Sequence, residues 1–158
     1  MVKLTPMEEN NFAAYLERLI REYAADHVAN GNWLEEESPE KARKQVGDLL
    51  PDGLKTKDHF IWSILEESSG QKIGVLWVNV KDEGSRRRAF GYDFWIEPSL
   101  RGKGYGKQSL LALDKKLKSM DVESMGIHVF GDNATAQGLY RKMGFEVTGI
   151  HMRKKYEK

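Results

Sequence analysis

Near the start of the chain, apolar side chains recur at helical spacing. Phe12, Tyr15, Leu16, Leu19, Ile20 and Tyr23 share one stripe. Thr5-Pro6-Met7-Glu8 stands before them and reads as a helix start, with Thr5 as N-cap, Pro6 in the first position and Glu8 closing a capping box. Val2 to Leu4 is then a short strand. Asn30-Gly31 lies beyond the end of this first helix. A second begins at Ser38-Pro39-Glu40, carries Ala42, Val46, Leu49 and Leu50 on its apolar side, and is stopped by Pro51-Asp52-Gly53.

The middle of the chain changes period. Phe60 to Leu65, Ile73 to Val80 and Ala89 to Ile96 are rich in β-branched and aromatic residues, and turn material separates them. That predicts an antiparallel meander. A third helix follows, with Leu110, Leu113, Leu117 and Met120 on one stripe. Ser124 to Phe130 reads as a strand, with Met125, Ile127 and Val129 on one face. A short helix from about Asn133 to Met143 ends at Gly144, and Val147 to Lys155 reads as the last strand. The order β-α-α-β-β-β-α-β-α-β predicts an α+β fold around a mixed sheet.

Composition narrows the chemistry. The 158 residues contain no cysteine, which excludes disulfides, thiolate metal sites and a cysteine nucleophile, and fits the cytoplasm. No apolar run is long enough to span a bilayer, and the N-terminus lacks the apolar stretch of a secretory signal. The net charge of +1 gives no global field for nucleic acid or an anionic membrane. No repeat or linker divides the chain, so residues 1–158 read as a single domain.

The candidate chemistry lies in Arg101-Gly102-Lys103-Gly104-Tyr105-Gly106, between a strand and a helix start. The first turn of a helix has free backbone N–H groups and the positive end of the dipole, so an anion is favoured there. Gly102, Gly104 and Gly106 allow close backbone approach, and Arg101, Lys103 and Lys107 add positive charge. This is a diphosphate site in prospect. A dinucleotide fold would use such a loop too, but after the first strand of repeated β-α units; here three hairpin-type strands precede it.

The loop resembles the Arg/Gln-x-x-Gly-x-Gly/Ala signature of the GNAT superfamily of N-acetyltransferases, with Arg101, Gly104 and Gly106 in the defining places. A second motif of that family follows in Asn133-x-x-Ala136-x-x-Leu139-Tyr140-x-Lys142-x-Gly144-Phe145. The resemblance covers the chain from about Phe60 onward, and within the family the chain looks most like small acetyltransferases of Bacillus type. It implies a mixed, mostly antiparallel sheet of six to seven strands with four helices and a splay between the two central strands.

It also implies roles. Acetyl-coenzyme A would be the co-substrate, with no metal. Phe94, Trp95 and Ile96 would pair with the pantetheine arm, and a backbone N–H near Ile96 would polarise the thioester carbonyl. The Arg101 to Lys107 loop, including Tyr105, would hold the diphosphate. Asn133 and Ala136 would meet the arm from the next helix, Asn133 also suiting an N-cap. Tyr140 matches the general acid for the leaving thiolate. His128 stands near where some members carry a catalytic glutamate, and is the candidate base for the amine.

Asp93, among aromatics on a strand, is open to three readings: it faces the acceptor cleft, makes a salt link to Arg88, or caps a neighbour. On the acceptor side the chain offers Tyr15, Tyr23, Asn32, Trp33 and Glu35-Glu36-Glu37, the last read as a solvated loop before a helix. Arg86-Arg87-Arg88 reads as a solvated strand edge rather than a nucleic-acid site. The leading expectation is direct acetyl transfer to a small-molecule or peptide amine, with no nucleic acid or membrane partner; homodimers are common in the family. A coenzyme A thioester-binding sensor and transfer of a longer acyl group are the alternatives.

Overall fold

The computed structural model describes residues 1–157; Lys158, the last residue of the expected domain, lies outside the described residues. Twelve consecutive residues, Lys72–Glu83, form the middle strand of a five-stranded sheet. The strands are β1 (Val2–Pro6), β2 (His59–Glu66), β3 (Lys72–Glu83), β4 (Arg86–Ile96) and β5 (Ser124–Ile127), and they lie side by side in that order. β1 to β4 pair antiparallel, and β5 joins β4 in parallel. Four helices accompany them: α1 (Glu9–Ala29), α2 (Ser38–Leu49), α3 (Tyr105–Ser119) and α4 (Ala134–Lys142).

β3 is buried from Ile73 to Val80 because helices cover both faces. Its side chains alternate between them. Leu76, Val78 and Val80 join Leu110, Leu113 and Leu117 of α3, while Val75 and Trp77 join Tyr15, Leu19 and Ile20 of α1 and Ala42 and Val46 of α2. Each large side chain so enclosed contributes about 1.5–3 kcal/mol by leaving water. The predicted stripes of α1, α2 and α3 are these faces.

Three expectations need correction. Thr5 and Pro6 do not start a helix: they continue β1, opposite Ser63 and Trp62, and α1 begins at Glu9. β1 is an edge strand, where the missing N–H of a proline is tolerated, and the Met7 amide extends the pairing to the Ile61 carbonyl. The strand expected over Ser124 to Phe130 stops at Ile127, where the β4–β5 pairing ends opposite Gly91 and the two strands part. The Gln137 side chain binds the Phe130 and Gly131 carbonyls instead.

The third concerns the C-terminus. Val147 to Lys155 forms no strand, so among the described residues the sheet has five strands, not six to seven. Val147 and Ile150 are 60% and 75% exposed, and no sheet edge pairs with them. Arg153 instead donates to the carbonyls of Asn30 and Gly31, the polar end of α1. With β5 left at the edge, the strands that part are the last two of the sheet and not its central pair.

Candidate active site

The site is a gap in the sheet. Gly91 of β4 faces Ile127 of β5 in the last pair the two strands make, whereas β4 runs on to Ile96 with β3 alone beside it. From Tyr92 onward the outer backbone edge of β4 has no strand partner. A cavity of about 150 Å³ occupies the gap, lined by Tyr92, Asp93, Phe94, His128, Asn133 and Tyr140 among others. Of Phe94, Trp95 and Ile96, the stretch expected to pair with an extended arm, Phe94 lines the cavity; Trp95 and Ile96 follow it on β4, beyond the lining.

The chain then makes a 3-10 turn at Pro98–Leu100 and enters α3. Gly102 and Gly104 take φ of 77° and 88°, a region that side chains rarely adopt. A Cβ on Gly102 would meet nothing within 4 Å, and one on Gly104 only Gln108 Nε2 at 4.0 Å, so the concave side of the loop is open. Gly106 serves packing: its Cβ would lie 3.3 Å from Leu139 and 3.8 Å from Phe94. Arg101 donates from Nε to the Ile96 carbonyl at 2.8 Å, tying the loop to the end of β4. Lys103 and Lys107 are exposed.

α4 brings the second motif to the other wall. Asn133 caps the helix, its side-chain oxygen accepting from the Ala136 amide at 3.1 Å, and its Nδ2 remains free to donate. Ala136 lines the cavity. Gly144, with φ of 92°, follows the helix as expected. Tyr140 packs edge-on to Phe145. Burial, then the charge of Asp93, push its phenol up to about 12, so it keeps its proton at neutral pH. His128 is exposed at the rim, edge-on to Phe130.

The α1 side supplies Tyr15, which the apolar stripe marks, and Arg18, which it does not. The Tyr15 hydroxyl donates to Asp93 Oδ2 at 2.9 Å, and Arg18 Nη2 donates to the same oxygen at 3.3 Å. Asp93 thus pairs with Arg18 and not with Arg88, which lies by Glu83 and Glu123. Burial outweighs these partners and raises the Asp93 carboxyl above its ordinary range. The Arg18 guanidinium also covers the Trp95 ring at 4.0 Å from its centroid. Farther along α1, His27 stacks on Trp33, and Tyr23 and Phe130 present their edges. Glu35–Glu37 forms a 3-10 turn leading into α2, away from the cavity lining.

The profile of the Acetyltransferase (GNAT) family matches residues 16–145. The chain belongs to this family. It is 40% identical to the uncharacterized N-acetyltransferase YycN of Bacillus subtilis over 98% of both chains, and 32% identical to YdgE of the same organism over 96% of both. The crystal structure of YycN superposes with a TM-score of 0.96 at 38% identity, covering 100% of each chain. An acetyltransferase of Pyrococcus furiosus shares the fold, with a TM-score of 0.69 at 19% identity.

Membership in the GNAT family supports N-acetyltransferase activity and acetyl-coenzyme A as the co-substrate the family uses. The residues present suit that molecule: an open glycine loop at a helix start for its diphosphate, and an unpaired strand edge for its arm. Phe94, His128, Asn133, Ala136 and Tyr140 converge on one cavity. Arg18 escaped the sequence analysis. Its one signal was its spacing from Tyr15, which places both on one side of α1.

Proposed function

We propose that this protein transfers an acetyl group from acetyl-coenzyme A directly to a primary amine, of a small molecule or peptide, with both substrates held together in the gap between β4 and β5. The observation that carries the reading is that gap: an unpaired β4 edge leads from the Gly102–Gly104 loop to a cavity holding a protonated phenol.

When bound, acetyl-coenzyme A supplies the activated acyl carbon and a thiol leaving group. The Gly102–Gly104 loop and the first turn of α3 would hold the diphosphate, and the free edge of Phe94 to Ile96 would orient the arm. His128, open to solvent, takes a proton from the ammonium, leaving the lone pair free. The amine nitrogen bonds to the acetyl carbon as the carbon–sulfur bond breaks. Tyr140 gives its proton to the sulfur and recovers one from the new amide nitrogen, so one proton in total leaves through His128. The absence of cysteine agrees with transfer without a thioester on the enzyme.

The test is release of free thiol from acetyl-coenzyme A against a panel of alkylamines, diamines and peptides. Acceptor-dependent release, with initial rates that vary jointly with both substrates, is expected. Coenzyme A binding with no acceptor-dependent release overturns the reading in favour of a sensor.

A further inference from the structure

We propose that Asp93 recognises the acceptor through its Oδ1 oxygen, and that the acceptor is therefore an aliphatic amine arriving as its ammonium cation. This rests on the acetyl-transfer reading above and adds to it the wall of the cavity that the acceptor meets.

The argument begins with charge. Arg18 lies 2.6 Å from Glu22 and 3.3 Å from Asp93, so one guanidinium serves two carboxylates and favours the other one. The Asp93 side chain is only 16% exposed and that of Arg18 only 13%. A carboxylate this enclosed needs full compensation, and Asp93 has part of a share. One more cation would complete the set.

Geometry says where that cation goes. Both protein donors to Asp93, the Tyr15 hydroxyl and Arg18 Nη2, reach Oδ2. Among the described residues, no donor reaches Oδ1. Asp93 stands two residues beyond the last β4–β5 pair, at Gly91, and lines the cavity that opens there. Tyr92 and Phe130 line the same cavity, and an aromatic lining tolerates an ammonium where aliphatic walls do not. Tyr140 lies within reach of the Asp93 charge on the other wall. Asp93 and Tyr140 line one cavity, so an amine held by Oδ1 would share it with the phenol that would serve the sulfur. A neutral isostere, such as an alcohol, would leave the charge uncompensated.

The test uses calorimetry on the full chain saturated with coenzyme A, with n-butylamine and 1-butanol as probes. Butylamine is expected to bind saturably and butanol not. Asp93→Asn is expected to weaken butylamine by about tenfold or more, the loss of a charge-assisted hydrogen bond, with coenzyme A affinity unchanged and Asp93→Glu restoring part of the loss. Equal binding of amine and alcohol by the unmutated protein overturns the proposal without any variant having to fold. No saturable amine binding, or full binding by Asp93→Asn, overturns it as well. Butylamine binding without thiol release would sink acetyl transfer and leave Asp93 in place; thiol release indifferent to Asp93→Asn would do the reverse.

Discussion

Gly91 of β4 and Ile127 of β5 meet so closely that no side chain fits on the glycine. A Cβ there would fall 2.7 Å from Met125 Cε and 3.0 Å from Ile127 Cγ2. The methionine end can swing aside, but the branched isoleucine is stiffer. Gly91→Val should therefore push β5 from β4 at the point where the gap begins. The expected loss is about 1–3 kcal/mol, read as a fall in Tm of about 2–4 °C per kcal/mol. A variant that melts with the wild type would show that β5 is not held there.

Gly104 makes a sharper demand on the backbone. Its φ of 88° immediately precedes α3, and a Cβ there would meet only Gln108 Nε2, at 4.0 Å. Gly104→Val strains that conformation by about 1–2 kcal/mol and places a branched side chain in the loop. The coenzyme A-induced rise in Tm is expected to disappear. Gly47→Ala is the control: a Cβ there meets nothing within 4 Å in an exposed turn of α2, so it should raise stability by about 0.5–1 kcal/mol and leave coenzyme binding intact. Undiminished binding by Gly104→Val would remove the loop from the site.

Gly102 and Gly104 were legible because a loop between strand and helix restricts the backbone locally; Gly91, inside β4, was not. The stripes of α1 and α3 were legible for a similar reason, since burial of one helix face imposes a period on neighbouring residues. What failed was decided at a distance. Thr5-Pro6 has the letters of a helix start, but pairing with β2 holds it in the sheet. Val147 to Lys155 has the composition of a strand, but Arg153 is drawn to the carbonyl end of α1. Asp93 finds its partners 78 and 75 positions away, in Tyr15 and Arg18, and no local pattern announces such a meeting.

Tyr140→Phe separates the phenol from the ring. The ring packs on Phe145, and that contact survives the substitution, so the fold and coenzyme affinity should hold. The hydroxyl, kept protonated by burial, is the part that would serve the sulfur. A fall in kcat of about a hundredfold, with little change in coenzyme binding, is expected for loss of a general acid. Steady-state rates with a saturating amine decide it, and an unchanged kcat would move the acid elsewhere.

The last expectation concerns pH and falls on His27. Arg153 donates to the Asn32 side-chain oxygen, which turns the Asn32 amide nitrogen toward His27 Nδ1 at 3.0 Å. Nδ1 is thus an acceptor, the ring proton sits on Nε2, and that atom is buried without a partner. Burial first, and the neighbouring His128 second, hold the His27 pKa below its ordinary value. The sign follows directly. In the unfolded chain the ring binds a proton near pH 6.5, and in the fold only at lower pH, so between the two the unfolded state holds more protons. Stability is complete above about pH 6.5 and is lost as the pH falls through the depressed value. His59, also lowered by burial, acts in the same direction, so a single variant removes part of the slope. Unfolding measured from pH 7 to pH 5 should show the wild type losing Tm faster than His27→Phe, which keeps the stack on Trp33 and has nothing to protonate. Parallel curves for the two proteins would mean that His27 takes up its proton in the fold as readily as in water.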